Sequence, residues 1–255
     1  VGIYLSDRAK WERLRMLDER CRARGVMVVD DAGCHPGLPG AMVRFASTGG
    51  ALSTAWVGAK FALDWGGSGV VRDTVADFLT EVETTDPSVF VDGRWVRGYR
   101  HARRFDFRRG AGPESCVPMC LEEIREVADS GAVGSTGFFI AGFGTLMDYV
   151  VLPASMVLAK VSRSSADALF WWGLRTLASD PGQADVRLEG TRAADRAPVE
   201  MVVSHPDPYL LTAVPVVATI RQMLAAPKPG VWTQAGFVDP GPFFRTLAEM
   251  GVSVR

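Results

Sequence analysis

A chain of 255 residues, 47% hydrophobic and 22% charged, can bury a sizeable core and is not disordered in composition. Its 28 Lys and Arg against 29 Asp and Glu leave a formal charge of -1, so no global field advertises nucleic acid or anionic lipid. The four cysteines, Cys21, Cys34, Cys116 and Cys120, form no CxxC pair; this excludes a zinc ribbon or a disulfide scaffold and points to a reducing compartment.

The run GIYL at 2–5 reads as a short strand, and Ser6 or Asp7 can cap the helix that follows. Trp11, Leu14, Met16, Leu17 and Cys21 give that helix an apolar face, and Gly25 ends it. VMVV, apolar on both faces, is a buried strand. The unit is β-α-β, which predicts that 2–5 and 26–30 are parallel neighbours with a right-handed crossover, and that 206–226 pack against them. Ligands sit beyond the carboxyl ends of such strands, and there the chain reads DDAGCHPGLPG, residues 30–40.

Downstream, AMVRFAS reads as a helix, TAWVGAKFAL as a strand, and 67–83 as a second helix. SVFVDGRWV is a hairpin turned on Asp92-Gly93. CLEEIREVAD is a short helix, and STGFFIAGFGTLMDYVV reads as a central strand before a long helical region reaching Leu177. VRLEGTRAADRAPVEMVVSH is a second hairpin; LLTAVPVVATIRQMLA is an apolar helix, and PFFRTLAEM is a short one closed by Gly251. No apolar stretch combines the length and continuity of a membrane span, and no leader opens the chain. The expected class is α/β, with 1–40 the end of one domain, 41–204 an inserted second, and 205–255 returning to the first.

Several residues are candidates for chemistry. Cys34 and His35, between glycines and prolines, are open to four readings: a packed turn, a pocket wall, a nucleophile or a metal corner. Two adjacent residues supply a tetrahedral metal site poorly, and a cysteine nucleophile needs a base and an orienting group, neither of them identifiable here. Asp30 and Asp31 can cap the turn or bind a hydroxyl. Gly66-Gly67-Ser68-Gly69 can offer amides to an anion, but without the spacing of a phosphate or dinucleotide loop. Lys60, Arg72 and Arg104 are substrate-anion candidates by chemistry, and His205 is placed for a pocket or for capping a helix. The arginines of 97–109 interleave with aromatics, yet the near-neutral total argues for a surface strand or loop, not a nucleic-acid grip.

The phrases GIYLSD, VMVVDDAGCHPGLPG, CVPMCLEEI, GFFIAGFGTLMDYVVLP, SHPDPYLLTAVPVVATIRQML and PGVWTQAGFVDPGPFFRTLAEMGV resemble, in order and nearly end to end, the saccharopine dehydrogenase-like oxidoreductases. The resemblance implies hydride transfer between NAD or NADP and an amino-acid-like or imine substrate. It also implies a mixed-sheet α+β second domain joined to the last β-α-β elements of a Rossmann domain. On this sequence it puts Ala32, Gly33, Pro36 and Gly37 against the nicotinamide end of the cofactor, and makes His35, as general acid/base, and Cys34 pocket residues. The family's glycine-rich fingerprint matches nothing here, so the expectation is a piece of a longer protein that binds cofactor only when whole. The expected partners are a small-molecule substrate and a second copy of the chain, with neither nucleic acid nor membrane, in the cytoplasm. A different class stays open: a scaffold or assembly domain descended from the same family.

Overall fold

A computed structural model describes residues 1–3, 8–61, 65, 79, 85–107, 112–144, 146–178 and 184–255. The chain has a mixed α/β fold, with helices set against a multi-stranded sheet. Residues 4–7, most of the expected helix 67–83, the Gly66–Gly69 run, Arg72, Arg108 and Arg109 lie outside the described residues.

The first helix comes as two, α1 (Arg8–Arg15) and α2 (Asp18–Ala23), broken at Met16-Leu17. The break has a tertiary cause. Asp18 Oδ1 accepts the Val231 amide at 2.7 Å while its Oδ2 takes Arg22 at 2.8 Å, so the second helix is aimed by a strand far along the chain. That strand is β10 (Gly230–Thr233), which pairs in parallel with β1 (Met27–Asp30), Val28 opposite Val231. On the other side, Gly2 donates to the Val29 carbonyl and accepts from the Ala32 amide. The described residues 1–3 form no strand of their own.

After β1 come α3 (Leu38–Ser47) and β2 (Leu52–Phe61), then the hairpin of β3 (Ser88–Val91) and β4 (Arg94–Arg97). Asp92 and Gly93 both take positive φ, 49° and 80°, the paired left-handed turn that matches strand twist. β5 (Arg103–Phe105), β6 (Glu114–Pro118), α4 (Glu122–Asp129) and β7 (Val133–Ala141) follow. The strand expected over 135–151 stops at Ala141. Asp148 accepts the Phe143 and Gly144 amides, and a wide helical turn, Met147–Val151, leads into α5 (Leu152–Ala159) and α6 (Arg163–Leu177). The second hairpin is β8 (Ala184–Arg192) and β9 (Pro198–His205). α7 (Pro208–Ala225), a short α8 (Gln234–Phe237), α9 (Pro240–Glu249) and β11 (Ser253–Val254) complete the chain.

The large sheet runs β11-β9-β8-β2-β7-β3-β4, with β6 also on β7 and β5 on β6. β2 and β7 are parallel, Val57 opposite Phe138, and the other pairs are antiparallel. α3, fully buried from Leu38 to Val43, packs on the face of β2, β8 and β9 that carries Val57, Val186 and Val203. The last segment enters both sheets, through β10 and through β11. α7 is long and apolar enough to cross a membrane by length and composition. One stripe of it, Leu211, Val214, Ala218 and Thr219, is buried in the fold, where Thr219 hydrogen-bonds Gln234 at 3.1 Å.

Candidate functional site

The turn after β1 is held from below by side chains from two other elements. Gly33 donates its amide to Gln234 Oε1 at 3.0 Å, and its carbonyl accepts from Gln234 Nε2 at 3.2 Å. Gly37 donates to Glu123 Oε1 at 2.9 Å. Gly37 has φ 122°, and a Cβ there would stand 2.5 Å from Gln234 Nε2 and 2.8 Å from the Gly33 backbone. Only glycine fits. Thr219 donates to the Pro215 carbonyl and to Gln234 Oε1, bracing the amide from α7. Arg44 of α3 donates to the Ala235 and Val238 carbonyls, and Thr233 donates to Glu126, so the turn, α3, α4 and the tail form one hydrogen-bonded unit.

Within this frame the expected site residues divide. Cys34 is fully buried in the main core, and burial pushes its thiol far up, with Glu123 adding to the push. A thiolate is the nucleophilic form, so this cysteine is chemically quiet. The His35–Pro36 peptide is cis, and the His35 ring stacks on Phe61 with centroids 4.5 Å apart, Phe138 lying at 6.0 Å. Although part of the residue still meets solvent, burial brings the imidazole pKa down to about 4. It is therefore neutral near pH 7, below the range in which a general acid/base works best.

Ala32, Gly33, Pro36 and Gly37 are all buried. The Gly33 and Gly37 amides are taken by Gln234 and Glu123, so these residues frame the turn. Asp30 pairs with Lys10 at 2.8 Å, and buried Asp31 takes a left-handed φ of 51°. Among the described residues, no three His, Cys, Asp or Glu come together to hold a metal.

Lys60 and Arg104, the described substrate-anion candidates, are each engaged elsewhere. Lys60 pairs with Glu114 at 2.6 Å, on the sheet face opposite Ala59 and Phe61. Arg104 is exposed and donates to the Pro113 carbonyl at 2.7 Å. His205 stands in one row with Ala184 and Phe61, so the register puts it on the sheet face against which His35 stacks. Its Nδ1 accepts the Asp207 amide at 2.9 Å, in the turn where Asp207 caps α7. The described part of the arginine segment is a short helical turn, Tyr99–His101, and β5. Arg103 lies 4.4 Å over the Trp56 ring, and Arg97 faces Asp86 at 3.3 Å.

A cleft of about 670 Å³ opens beside this frame, where β6 and β7 end against the helical segment around Tyr149 and Met156. Neither Cys34 nor His35 lines it; strand β7 connects it to the His35 stack. Ile140, in its wall, is two residues beyond Phe138 on the same face of β7, and Met119, also in the wall, donates its amide to the Phe138 carbonyl. Glu114, the partner of Lys60, and Asp148 supply its carboxylates.

Gln234 and Glu123 escaped the reading of the sequence. A polar residue inside VWTQAGFV was one signal. The other was that Glu123 shares the buried face of α4 with Ile124, Val127 and Ala128, an apolar period that one carboxylate interrupts. Burial pushes Glu123 up to about 8 against the pull of the Gly37 and Gly40 amides. A scan against protein-family models and a search of the curated proteins each found no match to the chain.

Proposed function

We propose that the chain is the substrate-binding part of a saccharopine dehydrogenase-like oxidoreductase that transfers hydride between a nicotinamide cofactor and a small organic molecule. One observation carries the reading. The GCHPGLPG turn stands beyond the carboxyl ends of a parallel strand pair, β1 and β10, the place where ligands gather in such sheets. It is anchored there by buried hydrogen bonds, and β7, on which its His35 leans, runs on into the wall of a cleft of ligand size. In this reading β1 and β10 are the last strands of a Rossmann sheet, and the large mixed sheet is the second domain.

The chain's own residues then do positional work. Gln234 and Glu123 fix the turn, the turn sets the plane of the His35 ring against Phe61, and that stack closes the apolar layer next to the cleft. Cys34 packs. The neutral His35 ring can accept or donate a hydrogen bond without carrying charge.

Titration of the intact protein with NADH and with NADPH, followed by nicotinamide fluorescence, tests the reading. Saturable enhancement with one of the two is expected. Absence of binding to both overturns the oxidoreductase and favours an assembly domain.

A further inference from the structure

The walls of the cleft say what can enter it. Val117, Met119, Ile140, Phe143, Leu152 and Met156 present hydrocarbon and ring surface, and the hydroxyl-bearing Tyr149 and Ser115 stand among them. The described lining residues include two carboxylates, Glu114 and Asp148, and no lysine, arginine or histidine. Each carboxylate already has a partner. Glu114 takes Lys60 at 2.6 Å, and Asp148 takes the Phe143 and Gly144 amides at 2.9 and 3.3 Å.

Among the described lining residues, then, no cation faces a ligand carboxylate or phosphate, and two carboxylates do. A charge carried into this apolar wall gains no opposite charge to offset the water it gives up, so such a ligand is disfavoured. A zwitterionic amino acid fares little better, because its ammonium could meet Asp148 or Glu114 while its carboxylate finds no cation among the described lining residues. A volume of about 670 Å³ lies within the range of small-molecule sites.

We infer that the cleft between β6–β7 and the segment 146–156 receives an uncharged, predominantly hydrocarbon molecule. As a statement about substrate this rests on the oxidoreductase reading above and replaces the amino-acid-like class with an apolar one. As a statement about binding it stands on the cavity alone.

The test uses Nile red, an uncharged dye that brightens and shifts to the blue in apolar sites, with the whole chain. Saturable binding of one dye per chain is expected, with displacement by decanol at concentrations where decanoate and glutamate leave the dye in place. Leu152→Glu and Met156→Glu, both in the wall and partly exposed, should each weaken binding about tenfold or more, the loss expected when an apolar contact is exchanged for charge. Val157, 66% exposed on the outside of the same helix, is the control, and Val157→Glu should leave the dye's affinity unchanged. Melting curves of the variants verify that each is folded, and Met156→Ser serves if Met156→Glu is not.

Dye binding that ignores Leu152 and Met156, equal displacement by decanoate or glutamate, or no saturable binding at all overturns the inference. The two readings fail separately. Nicotinamide binding with a cleft that refuses Nile red sinks the apolar substrate alone. A cleft that takes the dye in a protein blind to both nicotinamides sinks the oxidoreductase alone.

Discussion

Gln234 grips Gly33 by both of its backbone polar groups, accepting from the amide at 3.0 Å and donating to the carbonyl at 3.2 Å across 201 residues of sequence. Both partners are buried, so the alternative to these bonds is not a bond to water. Replacing the side chain strands two backbone groups at once. Gln234→Leu should cost about 2–5 kcal/mol in urea denaturation, the penalty for two buried polar groups left unpaired. Thr219→Val, which removes the brace on Gln234 and the bond to the Pro215 carbonyl but leaves both Gly33 bonds in place, should cost about 1 kcal/mol.

Gly37→Ala probes the same clamp from the other side. The added methyl group meets Gln234 Nε2 and the Gly33 backbone, at a φ that L residues rarely adopt. A loss of more than about 3 kcal/mol is expected from combined strain and displacement of the clamp. The control is Gly93→Asn, at a turn position where a Cβ has open space and asparagine tolerates positive φ. It should stay within about 1 kcal/mol of the parent.

The stability of the protein should depend on pH in an unusual shape. Burial lowers His35 from 6.5 to about 4, so between those values the unfolded chain binds a proton that the folded chain lacks, and acidification costs stability. Glu123 runs the other way. Raised from 4.5 to about 8, chiefly by burial and further by Asp31 and Glu126, it keeps a proton that the unfolded chain has released, so alkalinisation costs stability. The slopes cancel from about pH 4.5 to 6.5, and Glu123 then acts alone, giving a decline of about 2 kcal/mol by pH 8. Glu123→Gln, which can still accept from Gly37, should abolish that decline and uncover the rise from pH 4 to 6.5. Denaturation curves at half-unit pH steps measure both.

Thiol titration of the native protein with a disulfide reagent should find Cys21 first. Cys21 is partly exposed, whereas Cys34 and Cys116 are buried and burial raises both thiols. Cys120 is partly exposed, yet burial of its thiol brings it up to about 12, and its reaction should be slow. Reaction of Cys34 at the rate of Cys21 would contradict the packed turn. Cys34→Ala should leave any turnover within about threefold, since a buried, protonated thiol supplies no nucleophile.

Short-range chemistry was legible in the sequence and long-range pairing was not. Asp92-Gly93 announced its hairpin because the turn is written in two adjacent residues. VRLEG and EMVVSH likewise paired as expected, Leu188 opposite Met201. The partner of β1 left no such trace, because the parallel register with β10 depends on residues 203 positions apart, as in Met27 and Gly230. The apolar run after Ala141 was ambiguous between strand and helix until Asp148 turned back on the Phe143 and Gly144 amides. At the site, the position of GCHPGLPG beyond a strand's carboxyl end was readable. Its clamp was not, since a glutamine and a glutamate carry no signal for which glycine they will meet.

The reach of that clamp bears on how the protein is made. Gly33 leaves the ribosome 201 residues before Gln234, an interval of roughly 10 to 40 s at ordinary elongation rates. Throughout it, β1 has no β10 to lie against, the Gly33 amide and carbonyl face water, and apolar α3 lacks the Phe243, Phe244 and Leu247 side chains of α9. The hairpin of β8 and β9, whose turn is a few residues long, needs no such wait. The nascent chain is thus expected to hold the β2-to-β9 part of its large sheet before its amino-terminal turn is locked.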